Sequence, residues 1–263
     1  MYKKNDVIAL LTDFGTRDYF VAAMKGVIYK INPKAVVVDI THEVPPQDIA
    51  TGAFVLRAVY KWFPPGTVFV AVVDPGVGTE RAPLLLKTKN FYFVGPDNGL
   101  LSPAAEEDGV EEAYYITYRL PEVSYTFHGR DVFAPAAALL SLGVPPEALG
   151  RRVETWRRIE IPKAAVSDNV LYTEVVYVDR FGNVYTSARE EVFKIAERGS
   201  DLCIETPSGQ LKIKFVETYG RASSGETVAL INSEGYLEIA VVGGDAAGRH
   251  GLRPGHKLKI RKC

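Results

Sequence analysis

The chain has 263 residues, 47% of them hydrophobic and 24% charged, enough to build one large core or two smaller ones. With 31 Lys and Arg against 32 Asp and Glu the formal net charge is −1, so no global field draws in nucleic acid or an anionic membrane surface, and small-molecule chemistry is the expected class. No apolar run approaches the roughly 20 residues of a bilayer span, and Met1-Tyr2-Lys3-Lys4-Asn5-Asp6 leads into a strand-like run and not into a signal-peptide core, which predicts a cytoplasmic protein.

In chain order, β-branched runs first alternate with helical patterns. Residues 7–11 read as a strand, 19–31 as a helix and 35–40 as a second strand, a βαβ unit. A helical stretch follows over 48–62, then an apolar strand over 68–73, a strand pair over 84–88 and 91–94, and a buried helix over 132–142. This pattern predicts an N-terminal α/β layered domain with a mostly parallel central sheet, residues 1–160. Beyond it come short strands such as 171–178, 211–215, 227–231 and 237–242, broken by turns, which predict a smaller C-terminal all-β barrel domain over 165–263. Cys203 and Cys263 lie far apart, the latter at the terminus, and are read as forming neither a disulfide nor a thiolate metal site. His250 and His256 fall in what reads as a turn-rich surface tail.

Three polar clusters stand at strand ends or helix starts. Thr12-Asp13-Phe14-Gly15-Thr16-Arg17-Asp18 follows a buried strand, where open α/β sheets bind ligands. Asp13 is placed to accept from a ribose diol, and Asp18 to meet an ammonium group or to cap the next helix. Neither a dinucleotide fingerprint nor a P-loop is present, which points to a nucleoside without phosphates. In Asp74-Pro75-Gly76-Val77-Gly78-Thr79-Glu80-Arg81, a Gly-rich loop can fold Arg81 back onto Asp74 to make a charge pair that polarises a small nucleophile; the plainer alternative is a surface turn with a weak ion pair. Tyr125-Thr126-Phe127-His128-Gly129-Arg130-Asp131 sets a histidine before a helix, for proton transfer or for structure, with Asp131 as a possible cap. His42 raises the question of a His/Asp metal site with His128, Asp13 and Asp74, but no zinc-like ligand spacing exists and no metal is expected.

Together these segments resemble the S-adenosyl-L-methionine hydroxide adenosyltransferases, relatives of the fluorinases and chlorinases. The resemblance rests on Leu11-Thr12-Asp13-Phe14-Gly15-Thr16, Asp39-Ile40-Thr41-His42, Val73-Asp74-Pro75-Gly76-Val77-Gly78, Gly95-Pro96-Asp97-Asn98-Gly99, Phe127-His128-Gly129-Arg130-Asp131, Asp179-Arg180-Phe181-Gly182-Asn183 and Ser233-Glu234-Gly235-Tyr236-Leu237-Glu238-Ile239-Ala240, in order through nearly the whole chain. It implies hydrolysis of S-adenosyl-L-methionine to adenosine and L-methionine by attack of water on the ribose C5′, without a cofactor. It also implies a homotrimer with the active site at the subunit interface. Asp74, Arg81 and His128 would be the water-activating trio. Substrate binding would involve Asp13, Phe14, Asp18, Phe127, Asp179, Phe181, Asn183, Ser233, Tyr236 and Glu238, with Tyr185 a further aromatic candidate. Gln47 lies where a halogenating relative has an aromatic residue, Glu234 where it has arginine, and Asp74 where it has tyrosine. A carboxylate at that last position repels halide and can hold water, which favours hydrolysis over halogenation. The competing expectations are a halogenase of the same fold, a sensor that binds S-adenosyl-L-methionine or adenosine without turnover, and a metal-dependent nucleotide hydrolase.

Overall fold

The computed structural model describes residues 5–263; the first four residues, on which part of the reading of the chain start rests, lie outside the described residues. The chain divides into two compact units, residues 1–160 and 161–263. No helix among the described residues is long and apolar enough to cross a membrane.

The first unit contains β1 (Val7–Thr12), α1 (Phe20–Ile31), β2 (Val36–Thr41), α2 (Ile49–Val59), β3 (Val68–Val72), β4 (Pro83–Thr88), β5 (Tyr92–Pro96), α3 (Ser102–Asp108), β6 (Val110–Ile116), α4 (Ala134–Ser141) and β7 (Gly150–Val153). Its seven-stranded sheet has the order β2-β1-β3-β5-β4-β6-β7. The β2, β1, β3 and β5 neighbours pair in parallel and the remaining steps are antiparallel. Two reversals return β6 to the direction of the parallel group, so the sheet is mostly parallel, as the sequence predicts.

Successive side chains of a strand point to opposite faces, and here both faces are covered. Ile8, Leu10, Val68, Val70 and Val72 pack with Met24 and Ile28 of α1 and the alanine-rich α4. Ala9, Leu11, Phe69, Ala71 and Val73 pack on the other side with Ala53 and Leu56 of α2 and Ala104 and Ala105 of α3. Burial on both faces is why these strands are continuous apolar runs instead of alternating ones. The expected helix over 132–142 is entered through a π-helical turn over Gly129–Phe133, and α4 proper starts at Ala134.

The second unit contains β8 (Ala165–Ser167), β9 (Val170–Val178), β10 (Val184–Arg189), β11 (Asp201–Thr206), β12 (Gly209–Phe215), β13 (Thr227–Ile231), β14 (Tyr236–Val241), α5 (Ala246–His250) and β15 (Lys257–Lys262). The sheet order is β10-β14-β13-β12-β11-β15-β9-β8, and a further pairing of β10 with β9 closes it into a barrel. Leu171, Val175, Leu202, Ile204, Ile213, Phe215, Leu237, Ile239, Leu258 and Ile260 fill the interior.

Two expectations about this half are overturned. The C-terminal stretch is not a turn-rich tail: it forms α5 and β15, and β15 pairs with both β9 and β11. His250 and His256 are accordingly half-buried, and His250 Nε2 lies 2.9 Å from Thr227 Oγ1. The cysteines do pair, as a Cys203–Cys263 disulfide with Cα atoms 5.2 Å apart. Their separation of 60 residues in sequence concealed this. Antiparallel pairing sets Cys203 opposite Arg261, and Cys263, two residues further on, is its diagonal neighbour on the same side. The backbone N–H of Cys263 donates to Asp201 O and holds the chain end in place.

Candidate active site

In the first unit, β2 and β3 flank β1 on opposite sides, and α1 and α2 lie on opposite faces of the sheet. That reversal opens a crevice beyond the carboxyl ends of β1 and β3. The register Thr12↔Val72 brings Asp13, one residue past its pair, and Asp74, two past, to the same crevice.

The loop after β3 folds back on itself. Val77 N–H donates to Asp74 O, Thr79 N–H and its hydroxyl both donate to Gly76 O, and Arg81 N–H donates to Thr79 Oγ1. Gly78 has φ +78°, and a Cβ there would stand 2.6 Å from Tyr125 O, so only glycine lets this loop meet the one carrying His128. Arg81 then grips Asp74 with two donors, Nε to Oδ1 at 3.1 Å and Nη2 to Oδ2. Both side chains are almost wholly buried, at 7% and 5% exposure, which excludes the plainer alternative of a solvated surface pair. Arg81 Nη2 also lies 3.2 Å from His128 Nδ1, and its guanidinium carbon sits 5.5 Å above the Phe133 ring.

A guanidinium only donates, so Nδ1 of His128 accepts and the imidazole proton resides on Nε2. Burial, reinforced by the Arg81 charge and opposed by Asp74, holds the His128 pKa below the ordinary imidazole value, so the ring is neutral at neutral pH. Arg81 Nη1 is buried without a hydrogen-bond partner in the protein. Asn98, inside the Gly95-Pro96-Asp97-Asn98-Gly99 segment, donates its Nδ2 to Val73 O at 2.8 Å and so fixes the strand end that carries Asp74. Its neighbour Asp97 accepts from Arg157 N–H and the Tyr115 hydroxyl. No chemistry suggested itself for either residue from sequence, because both act on backbone or on neighbouring side chains.

Asp13 accepts from Gln47 N–H at 2.8 Å, with Gln47 itself at φ +66°. His42 is buried, its Nδ1 2.8 Å from Thr12 Oγ1 and its Nε2 3.0 Å from Asp39 Oδ1. Partial burial pushes the Asp39 carboxyl up, but Lys25 and His42 beside it outweigh burial and hold the pKa below the ordinary value. The suggested His42, His128, Asp13 and Asp74 metal set is not gathered: His42 is engaged with Thr12 and Asp39, and His128 with Arg81. Among the described residues no group of three or more His, Cys, Asp or Glu side chains could hold a metal ion.

The capping readings of Asp18 and Asp131 are overturned. The N-cap of α1 is Tyr19, without a side-chain cap bond, and Asp18 stands exposed. Asp131 lies within the π-helical turn, where it accepts from Ser124 N–H and from Arg130 and so ties the His128 loop together. Phe14, Phe20 and Phe127 form an edge-on cluster beside the crevice, with the Phe14 and Phe127 centroids 6.0 Å apart and Phe20 and Phe127 5.2 Å apart. Gly129 packs against this cluster and Met24, where a Cβ would come within 3.2–3.3 Å of all three neighbours.

In the second unit, Asp179 organises the β9–β10 turn. Its Oδ1 accepts from Phe181 N–H and Asn183 N–H, and its Oδ2 accepts from Asn183 Nδ2. Phe181 projects from that turn at 75% exposure, and Tyr185 packs edge-on against Tyr177 at 5.5 Å. Ser233 is exposed in the turn before β14, and Asn232 Oδ1 shapes this turn by accepting from Glu234 and Tyr236 N–H. Tyr236 is buried under Arg189, whose guanidinium carbon is 4.6 Å from the ring centre. Glu238 is 1% exposed and accepts from the Tyr219 hydroxyl at 2.5 Å and Asn232 Nδ2 at 3.2 Å. Burial drives its pKa upward against those two bonds, with Asp179 adding to the rise.

The sequence matches the SAM hydroxide adenosyltransferase N-terminal domain over residues 8–150 and the C-terminal domain of the same name over 173–259. A protein of Salinispora tropica named (R)-S-adenosyl-L-methionine hydrolase is 40% identical over 96% of this chain and 97% of its own length. An Actinoplanes protein named fluorinase is 29% identical, over 98% of each chain. A crystallised conserved protein of Thermotoga maritima superposes with a TM-score of 0.92 at 38% identity, over 97% of this chain and 100% of its own.

Proposed function

The chain belongs to the SAM hydroxide adenosyltransferase family, and from that premise we propose that it hydrolyses S-adenosyl-L-methionine to adenosine and L-methionine. One observation carries the mechanism: a buried Asp74–Arg81–His128 assembly at the sheet crevice, with one Arg81 donor left free.

Asp74, Arg81 and His128 are the groups we assign to the water. Each Asp74 oxygen receives one bond from Arg81 and keeps acceptor capacity, so a water can donate to Asp74 while Arg81 Nη1 donates to the water oxygen. The water oxygen then attacks C5′ in line as the C5′–S bond breaks. The sulfonium sulfur keeps the bonding pair and leaves as the neutral thioether of methionine. The protonated 5′-hydroxyl gives its extra proton to Asp74, the acceptor with free lone pairs, since His128 Nδ1 is already occupied by Arg81. A leaving group that is cationic from the start needs no Lewis acid, so a chelator should leave turnover unchanged.

For the nucleoside we assign Asp13 to the ribose hydroxyls, Asp18 to the methionine end, Phe14 and Phe127 to apolar contact, and Asp179, Phe181, Asn183, Ser233, Tyr236 and Glu238 to the part contributed by the barrel fold, as contacts or as supports of its turns. We also place the enzyme in the cytoplasm as a homotrimer, for which the mass in solution is the check. Incubation with S-adenosyl-L-methionine in ¹⁸O-water should give adenosine carrying the label. Asp74→Ala should lower kcat by at least about a thousandfold with KM within a few-fold, because Asp74 serves the water and not the nucleoside. Halogenated adenosine formed from added chloride, or unlabelled adenosine, would overturn the reading.

A further inference from the structure

The Asp39-Ile40-Thr41-His42 segment has no part in the water chemistry, yet it holds one of the most buried titratable side chains of the first unit, His42 at 4% exposure. We propose that His42 is a positioning residue that fixes the Asp13–Gly15 nucleoside loop through Thr12. The proposal rests on the hydrolase reading for its substrate, and its geometry stands independently.

The polar groups form a chain of close contacts from Lys25 through Asp39 and His42 to Thr12. Lys25 Nζ lies 2.6 Å from Asp39 Oδ2, and His42 Nε2 lies 3.0 Å from Asp39 Oδ1, close enough for strong attraction though short of ideal alignment. A carboxylate only accepts, so the His42 proton sits on Nε2 and Nδ1 is left to accept from the Thr12 hydroxyl at 2.8 Å. Thr12 Oγ1 in turn accepts from Phe14 N–H at 3.2 Å. The register explains the meeting: β1 pairs Leu11 with Thr41, so the next residues, Thr12 and His42, leave their strands side by side.

His42 acts on the same loop a second time, its backbone oxygen accepting from Gly15 N–H at 2.7 Å. Around it, Thr12 O accepts from Val44 N–H, Glu43 Oε1 accepts from the Thr16 hydroxyl and Asp13 Oδ2 accepts from Gln47 N–H. The segment after β2 therefore clasps the segment after β1, and the imidazole is the side-chain pin that reaches Phe14, the residue after Asp13. Thr12 is wholly buried and already committed at its oxygen, so the Asp39–His42–Thr12 arrangement is not a nucleophile with its base.

The test compares His42→Ala with His42→Asn, whose amide oxygen can stand near the position of Nδ1, by steady-state kinetics and by hydrogen exchange in the 12–18 segment. The alanine variant should raise KM for S-adenosyl-L-methionine about tenfold with kcat within about twofold, and speed exchange at Phe14 and Gly15. The asparagine variant should restore most of both. Should His42→Ala not fold, Asp39→Asn, at a half-exposed carboxylate, should give the same pattern about threefold in KM. A fall in kcat with KM unchanged, unaltered exchange at Phe14 and Gly15, or no recovery with asparagine would overturn the proposal. A wild-type protein that fails to turn over S-adenosyl-L-methionine would remove the hydrolase reading alone, since the exchange comparison decides the positioning without activity.

Discussion

The polar clusters that carry the candidate site residues are built differently in the two units. In the α/β unit, Asp74, Arg81 and His128 come from two separate loops, bond one another under the strand ends, and leave one guanidinium donor unsatisfied. In the barrel, Asp179 and Asn232 spend their acceptor capacity on the turns that carry them, and Glu238 is enclosed by Tyr219 and Asn232. A buried charged donor without a protein partner is costly in a finished core and keeps capacity for one more hydrogen bond. The first arrangement fits reaction chemistry, and the second fits the shaping of a binding surface.

The largest way to sharpen this contrast is to weaken one unit and watch the other. The Cys203–Cys263 bridge lies wholly within the barrel and ties its last strand to β11. Loop-closure entropy for a link of this span corresponds to about 2–4 kcal/mol. Cys203→Ser, or reduction of the wild type, should therefore lower the melting temperature of the barrel transition by several degrees while the α/β transition stays in place, read by calorimetry. If both transitions move together, the units are not independent in stability.

The next largest effect bears on the first unit alone. Gly78→Ala places a Cβ 2.6 Å from Tyr125 O at a left-handed backbone position, so the loop from Asp74 to Arg81 must shift away from the His128 loop. Turnover should fall about thirtyfold, equivalent to about 2 kcal/mol, with the barrel transition unchanged. Retention of full activity would mean that the Arg81–His128 contact does not set the rate.

How much of this could be read from sequence follows the range of the interactions. The layered and barrel folds were legible because strand and helix periods are local, and residues 68–73 announce a strand buried on both sides. Asp74 and Arg81 were legible as a pair because a Gly-rich turn joins them. His128 is 47 residues from Arg81, and its place beside the guanidinium could be anticipated only through resemblance. The disulfide was misread because strand register, not sequence distance, decides which cysteines meet. Likewise Thr12 and Asn98, which hold the ends of the site, act through hydrogen bonds that have no compositional signal. Asp18 and Asp131 carry the right residue types for helix caps, yet α1 starts one residue beyond the position Asp18 could cap, and Asp131 is taken up by Ser124 and Arg130.

The smallest expected effect tests the barrel's side of the contrast. Glu238 is enclosed, and burial raises its pKa despite two hydrogen bonds. A carboxyl that binds its proton more tightly when folded contributes stability that is fully present below the ordinary value of about 4.3 and is lost as pH rises through the raised folded value. Above that window the ionised group carries a desolvation cost. Glu238→Gln keeps an oxygen for the Tyr219 hydroxyl, gives up the acceptor for Asn232 Nδ2 and removes the titration, so its stability relative to wild type should rise by about 0.5–1 kcal/mol between pH 4 and pH 8 in urea unfolding. A relative stability that falls between pH 4 and pH 8 would show that Tyr219 and Asn232 require the charge itself, and Glu238 would then belong with Asp74 rather than with the groups that only shape the barrel.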